Sequence, residues 1–172
     1  MCNDMSQIKK HLNSNDIIVQ GTACREIIKM GPKATWAIPE LINLLGSKWT
    51  PLADVASVAL FNIGKEAVPI LIISLPESSC LKKIYLIHTL RRLHESSVQI
   101  YKIIAKYMED DEHDVIIQSA HSIAGIAYDN FEKGRDIRDD QFKRAFKILK
   151  KESNGNNSSW ILLKDLKRIG LI

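Results

Sequence analysis

Along most of the chain, apolar positions recur at the three-to-four-residue spacing of one helix face, and glycine and proline interrupt the pattern at regular intervals. "ACREIIKMG", Ala23 to Gly31, and "ASVALFNIG", Ala56 to Gly64, carry the same order of small and apolar residues at an offset of 33 residues. In that register Ile27 corresponds to Leu60 and Met30 to Ile63. Leu90 and Leu93 in "LIHTLRRLH" follow after a spacing of 30, and Ile123 and Ile126 in "SAHSIAGIA" come 33 residues further on. "LLKDLKRIG", Leu162 to Gly170, is a last match. Self-similarity at this period, with helical periodicity inside each unit, predicts an all-α solenoid, an α-α superhelix of about four to five helical hairpins.

Each unit reads as two helices, A and B. Helix A ends at Gly31 or Gly64, where a residue that tolerates positive φ forms a C-cap. Pro39 and Pro69 then fall near the first turn of helix B, where the missing N–H costs nothing. The passage from glycine to proline is therefore the A-to-B corner of a repeat. The pattern predicts a capping helix and first A helix within residues 3 to 30, B at 37–46, A at 51–63 and B at 66–75. It continues with A at 79–94, B at 97–108, A at 113–128, B at 138–152 and a terminal helix at 159–169. "SNGNNSS", Ser153 to Ser159, is expected to be a loop within a single domain covering residues 1–172.

"MGPKATWAIPELINLL" and "IGKEAVPILIISL" resemble HEAT repeats, especially the short type found in phycobilisome-lyase-like proteins. The resemblance implies a stack whose B helices line a concave, partner-binding surface. Exposed B-helix positions implied in this way are Glu40, Asn43, Lys102, Lys106, Lys143, Lys147 and Lys150.

Composition fits that picture. Of 172 residues, 45% are apolar and 26% charged, the balance of a folded chain, while only 6% are aromatic, so the core must come from Ile, Leu, Val and Ala. No stretch approaches the roughly 20 apolar residues that span a bilayer, and no secretory leader is evident, so a cytoplasmic protein without membrane contact is expected. Cys2, Cys24 and Cys80 are widely spaced and odd in number, which suggests reduced thiols.

The overall charge of +4 is mild but unevenly placed: residues 133–172 hold 11 Lys or Arg against 5 Asp or Glu. In "QFKRAFKILKK", Phe142, Ala145, Phe146 and Leu149 form an apolar stripe. Lys143, Lys147 and Lys150, with Arg144 and Lys151 nearby, occupy the other side, a face suited to an acidic protein or a phosphate backbone. Aromatic residues for base stacking do not alternate with these cations. Trp36, in the three extra residues of the first A-to-B corner, is a candidate interface anchor or a lid on a repeat junction. Trp49 lies in the next loop and Trp160 near the terminal helix.

Other polar clusters read as structural. "MEDDEHD", around Asp110, Asp111, His113 and Asp114, lacks the spacing of a calcium loop and suits a helix start, with Asp111 or Asp114 as cap. His88 and His121 occupy equivalent repeat positions but lack the pairing of a metal motif. "SSC", Ser78 to Cys80, suits a helix cap, and no nucleophile elbow or phosphate loop occurs. The expectation is a non-catalytic protein-interaction module without a cofactor, its contacts drawn from Trp36, Glu40, Asn43, Lys102, Lys106, Lys143, Arg144, Lys147 and Lys150. The alternative is a nucleic-acid-binding protein using the basic C-terminal helices.

Overall fold

Gly31 and Gly64 end the two long A helices with φ values of 56° and 94°, and each amide donates back to the carbonyl four residues earlier, Ile27 and Leu60. Positive φ presses the Cβ of any other residue against its own backbone, so glycine is the residue that turns these corners without strain. Pro39 and Pro69 follow within the first two positions of the next helices. At the second corner the two helical segments meet at a bend of 111°.

The computed structural model describes residues 5–96, 99–153 and 157–172, and it is an all-α helical-repeat fold with no strand among the described residues. The helices are α1 (Met5–Leu12), α2 (Ile17–Met30), α3 (Ile38–Leu44), α4 (Thr50–Ile63), α5 (Val68–Ser74) and α6 (Cys80–Arg92). They continue as α7 (Gln99–Lys106), α8 (His113–Glu132), α9 (Asp140–Glu152) and α10 (Asn157–Arg168). The chain divides into two compact units, residues 1–97 and 98–172, and the division falls between α6 and α7. Parts of the predicted capping helix, of the B helix at 97–108 and of the 153–159 loop fall at residues 1–4, 97–98 and 154–156, outside the described residues, as does the side chain of Trp160.

In the first unit, α4 is the central helix, packed against α2, α3 and α6. Its small residues Ala53, Ala56 and Ala59 are completely buried, which lets neighbouring helices approach on two sides. The shorter B helices α3 and α5 pack on each other, and α1 covers α2 and α3. The A-helix column of the repeat is plain in the burial pattern. Ile27, Leu60 and Leu90 are each 0% exposed, and burying such a side chain contributes roughly 1.5–3 kcal/mol. Met30, by contrast, is only half-buried at the edge of the first corner.

The Thr89 hydroxyl is buried inside this core. The single proton of the Thr89 hydroxyl donates to the Tyr85 carbonyl at 2.7 Å, so the Ser57 hydroxyl, 2.9 Å away, supplies the proton of the α4–α6 contact. The first corner is longer than the second: residues Gly31–Ala37 form a 3-10 stretch with a break at Ala34, whereas Lys65–Ala67 suffice at the other.

In the second unit α8 is the long central helix, packed against α7, α9 and α10. Ser119, Ala120, Ser122, Ile123, Ala124, Gly125, Ile126 and Ala127 are all buried, a nearly continuous run that a helix with neighbours on several sides requires. The helix runs to Glu132, four residues beyond its predicted end, and α10 begins at Asn157, two residues before its predicted start.

Candidate functional site

Phe142, Ala145 and Leu149 are buried along α9, and Phe146 is half-buried, so the predicted apolar stripe faces the core of the second unit. This leaves Lys143, Arg144, Lys147 and Lys150 exposed on the opposite side. On α7 the same logic buries Ile100, Ile104 and Ala105 and exposes Lys102 and Lys106, one helical turn apart.

The two helices are fixed to each other at the start of α9. Asp139 Oδ1 accepts the Phe142 amide at 2.9 Å as an N-cap and also accepts the Tyr101 hydroxyl at 2.7 Å. Burial and that hydrogen bond raise the Tyr101 pKa, so the phenol stays a donor at neutral pH.

Between α7 and α9 lies a depression of about 260 Å³ lined by Lys102, Ala105, Lys106, Glu109, Gln141 and Arg144. Three of the nominated residues, Lys102, Lys106 and Arg144, are thereby brought together. Neither lysine has an ion-pair partner among the described residues. Arg144 Nη1 pairs with Glu109 Oε1, and Arg144 Nη2 lies 3.5 Å from the Met108 carbonyl. Lys143 bonds Asp140 at 3.1 Å, and Lys147 and Lys150 extend the cationic face along α9.

The remaining nominated residues lie in the first unit, where the structure corrects one of them, Glu40, as an exposed contact. Glu40 has a side chain only 12% exposed and pairs with Lys9 at 3.0 Å, so it ties α3 to α1. Trp36 is half-buried with its indole N–H sealed from solvent. Asn43 is exposed and accepts from Lys82 Nζ at 3.5 Å. Sequence reasoning missed Glu109, which it placed in a capping loop; the signal available was that acidic turn immediately following the basic B helix α7.

The other polar clusters are structural in their geometry. Asp110, rather than Asp111 or Asp114, accepts the Glu112 amide ahead of α8, at 3.0 Å. Ser79 holds the N-cap position of α6 without a side-chain hydrogen bond, and Ser78 donates to the Ser74 carbonyl at 2.6 Å. His121 Nε2 lies 3.0 Å from Ser159 Oγ, but that serine is 0% exposed and no substrate reaches it. No group of three His, Cys, Asp or Glu placed to hold a metal occurs among the described residues.

No protein-family model matches the chain, and no curated protein matches it. It is similar to a solved crystal structure described as an engineered protein, at 20% identity and a TM-score of 0.45, over 91% of this chain and 74% of that one. Likeness at that level carries no functional argument. No single helix among the described residues is long and apolar enough to cross a membrane.

Proposed function

We propose that this protein is a HEAT-like repeat module that binds another protein without catalysis, and that the α7–α9 surface takes an acidic segment of that partner. The observation that carries the reading is the convergence of Lys102, Lys106 and Arg144 on one depression between two B helices, continued by Lys147 and Lys150. Helical repeats offer extended surface rather than deep pockets, which suits a protein segment more than a small molecule. Exposed cations one turn apart on adjacent helices are complementary to a segment carrying carboxylates at similar spacing. An adaptor, a regulatory subunit and an inhibitor all work by such contact.

Nucleic acid is the weaker reading. The lining of the depression contains no aromatic side chain for a base to stack on. The test is affinity capture from nuclease-treated lysate with the intact chain and with Lys102→Glu combined with Lys106→Glu. Loss of one stoichiometric protein from the variant, with circular dichroism unchanged, supports the reading. Equal capture by both forms eliminates this face.

A further inference from the structure

The charges lining the α7–α9 depression do not balance: three are cationic, and the single anion, Glu109, sits against Arg144. Glu109 differs from the other acidic residues of its turn. Asp110 is used by the Glu112 amide, Asp111 is exposed, and Asp114 lies in the first turn of α8, whereas Glu109 reaches across to a residue 35 positions later. The pair it makes is a solvent-accessible one, with side chains 66% and 41% exposed, and it engages one guanidinium nitrogen while the other has only a long contact to a carbonyl. An arginine fork accepts a carboxylate through two parallel donors, so Glu109 leaves part of its capacity unused.

Resting on the protein-binding reading above, we infer that the depression is a carboxylate subsite with Glu109 as its resident occupant, and that an acidic side chain of the partner protein displaces Glu109 from Arg144. Lys102 and Lys106 flank the incoming group. The exchange replaces one carboxylate by another, so the desolvation of Arg144 is nearly unchanged. An exposed ion pair is weak enough to be given up. The internal pair therefore acts as a selectivity filter. A ligand gains at Arg144 only if it brings an anionic group that engages the guanidinium better than Glu109 does, and the two probes below separate a carboxylate from a phosphate.

The test uses the full chain and a short fluorescein-labelled peptide of alternating Glu and Ser, read by fluorescence anisotropy, with single-stranded oligothymidylate as a second probe. Glu109→Gln is expected to tighten peptide binding about three- to fivefold, the scale on which an exposed pair competes. Asp111→Asn removes the same charge from the same turn but outside the depression, and it is expected to leave affinity unchanged. Lys102→Gln with Lys106→Gln is expected to weaken binding. Equal tightening by Glu109→Gln and Asp111→Asn overturns the subsite, because the effect is then the general field. Unchanged affinity in Glu109→Gln, with binding still dependent on the two lysines, overturns the subsite but leaves the binding face standing. If neither the natural chain nor Glu109→Gln holds the peptide, or if both prefer the oligonucleotide, the protein-binding reading itself fails.

Discussion

Cys24 lies fully buried on the inner side of α2, and burial pushes its thiol up to about 12, against a small opposing effect of Arg25. Only the thiolate is nucleophilic, so at mildly alkaline pH this group is both inaccessible and protonated. Cys80, at the first position of α6, is only half-buried and so is not sealed from solvent as Cys24 is. Brief alkylation of the native protein followed by peptide mass mapping should label Cys80 and spare Cys24, and denaturant should abolish the difference. His88 provides the pH-dependent counterpart. Burial lowers its pKa below the ordinary histidine value, Arg92 and Arg91 lower it further, and Asp54 opposes them. The folded state thus prefers neutral His88, and the unfolded chain binds the proton first as pH falls. The stability this group contributes is complete above the ordinary histidine pKa and is lost as pH falls through the lowered one. Melting curves at about pH 7.5 and about pH 5.5 bracket that window. The natural protein should lose more on acidification than His88→Asn, and equal losses would assign the acid sensitivity to other groups.

At the scale of elements, two glycines should respond in opposite directions to the same substitution. Gly64 holds φ at 94°, so Gly64→Ala should cost about 1–2 kcal/mol by forcing a Cβ onto a positive-φ backbone. Gly21 sits inside α2 with no atom of a neighbouring element within 4 Å of where a Cβ would stand, and Gly21→Ala should stabilise by about 0.5–1 kcal/mol. Urea unfolding midpoints measure both, and a gain at Gly64 would mean that the corner can be rebuilt without glycine. The same contrast explains what could be read in advance. The buried positions Ile27, Leu60 and Leu90 of the first unit, and Ile123 of the second, were legible because burial at one helix face leaves a period in the sequence, and the Gly31 and Gly64 corners because few residues can turn them. The 3-10 stretch Gly31–Ala37 was not legible, since its Ala, Thr and Trp residues suit several backbones. Of the site, the outward cations of α7 and α9 followed from amphipathic spacing. The Glu109–Arg144 and Tyr101–Asp139 contacts did not, because they join residues 35 and 38 positions apart and no local rule links such pairs.

Across the whole chain, charge is segregated more than the net of +4 suggests. Residues 133–172 carry 11 cationic against 5 acidic groups, so the remaining residues hold 13 against 15. A field of that kind acts before contact. On the protein-binding proposal it steers an acidic partner toward α9, raising the association rate, while groups that touch the bound ligand set how long it stays. Lys147 and Lys150 are exposed beyond the depression and on that proposal belong to the first class, whereas Lys102, Lys106 and Arg144, which line it, belong to the second. Lys147→Gln with Lys150→Gln should therefore slow association of the acidic peptide several-fold and leave its dissociation nearly unchanged. Lys102→Gln with Lys106→Gln should mainly speed dissociation. Stopped-flow anisotropy separates the two rates. Salt supplies the complementary reading: the screening length falls from about 10 Å at 0.1 M to about 3 Å at 1 M, so the association advantage of the natural chain over the Lys147/Lys150 variant should disappear across that range. An advantage that survives high salt would mean that these lysines touch the ligand, and the contact surface would then extend along α9 beyond the depression.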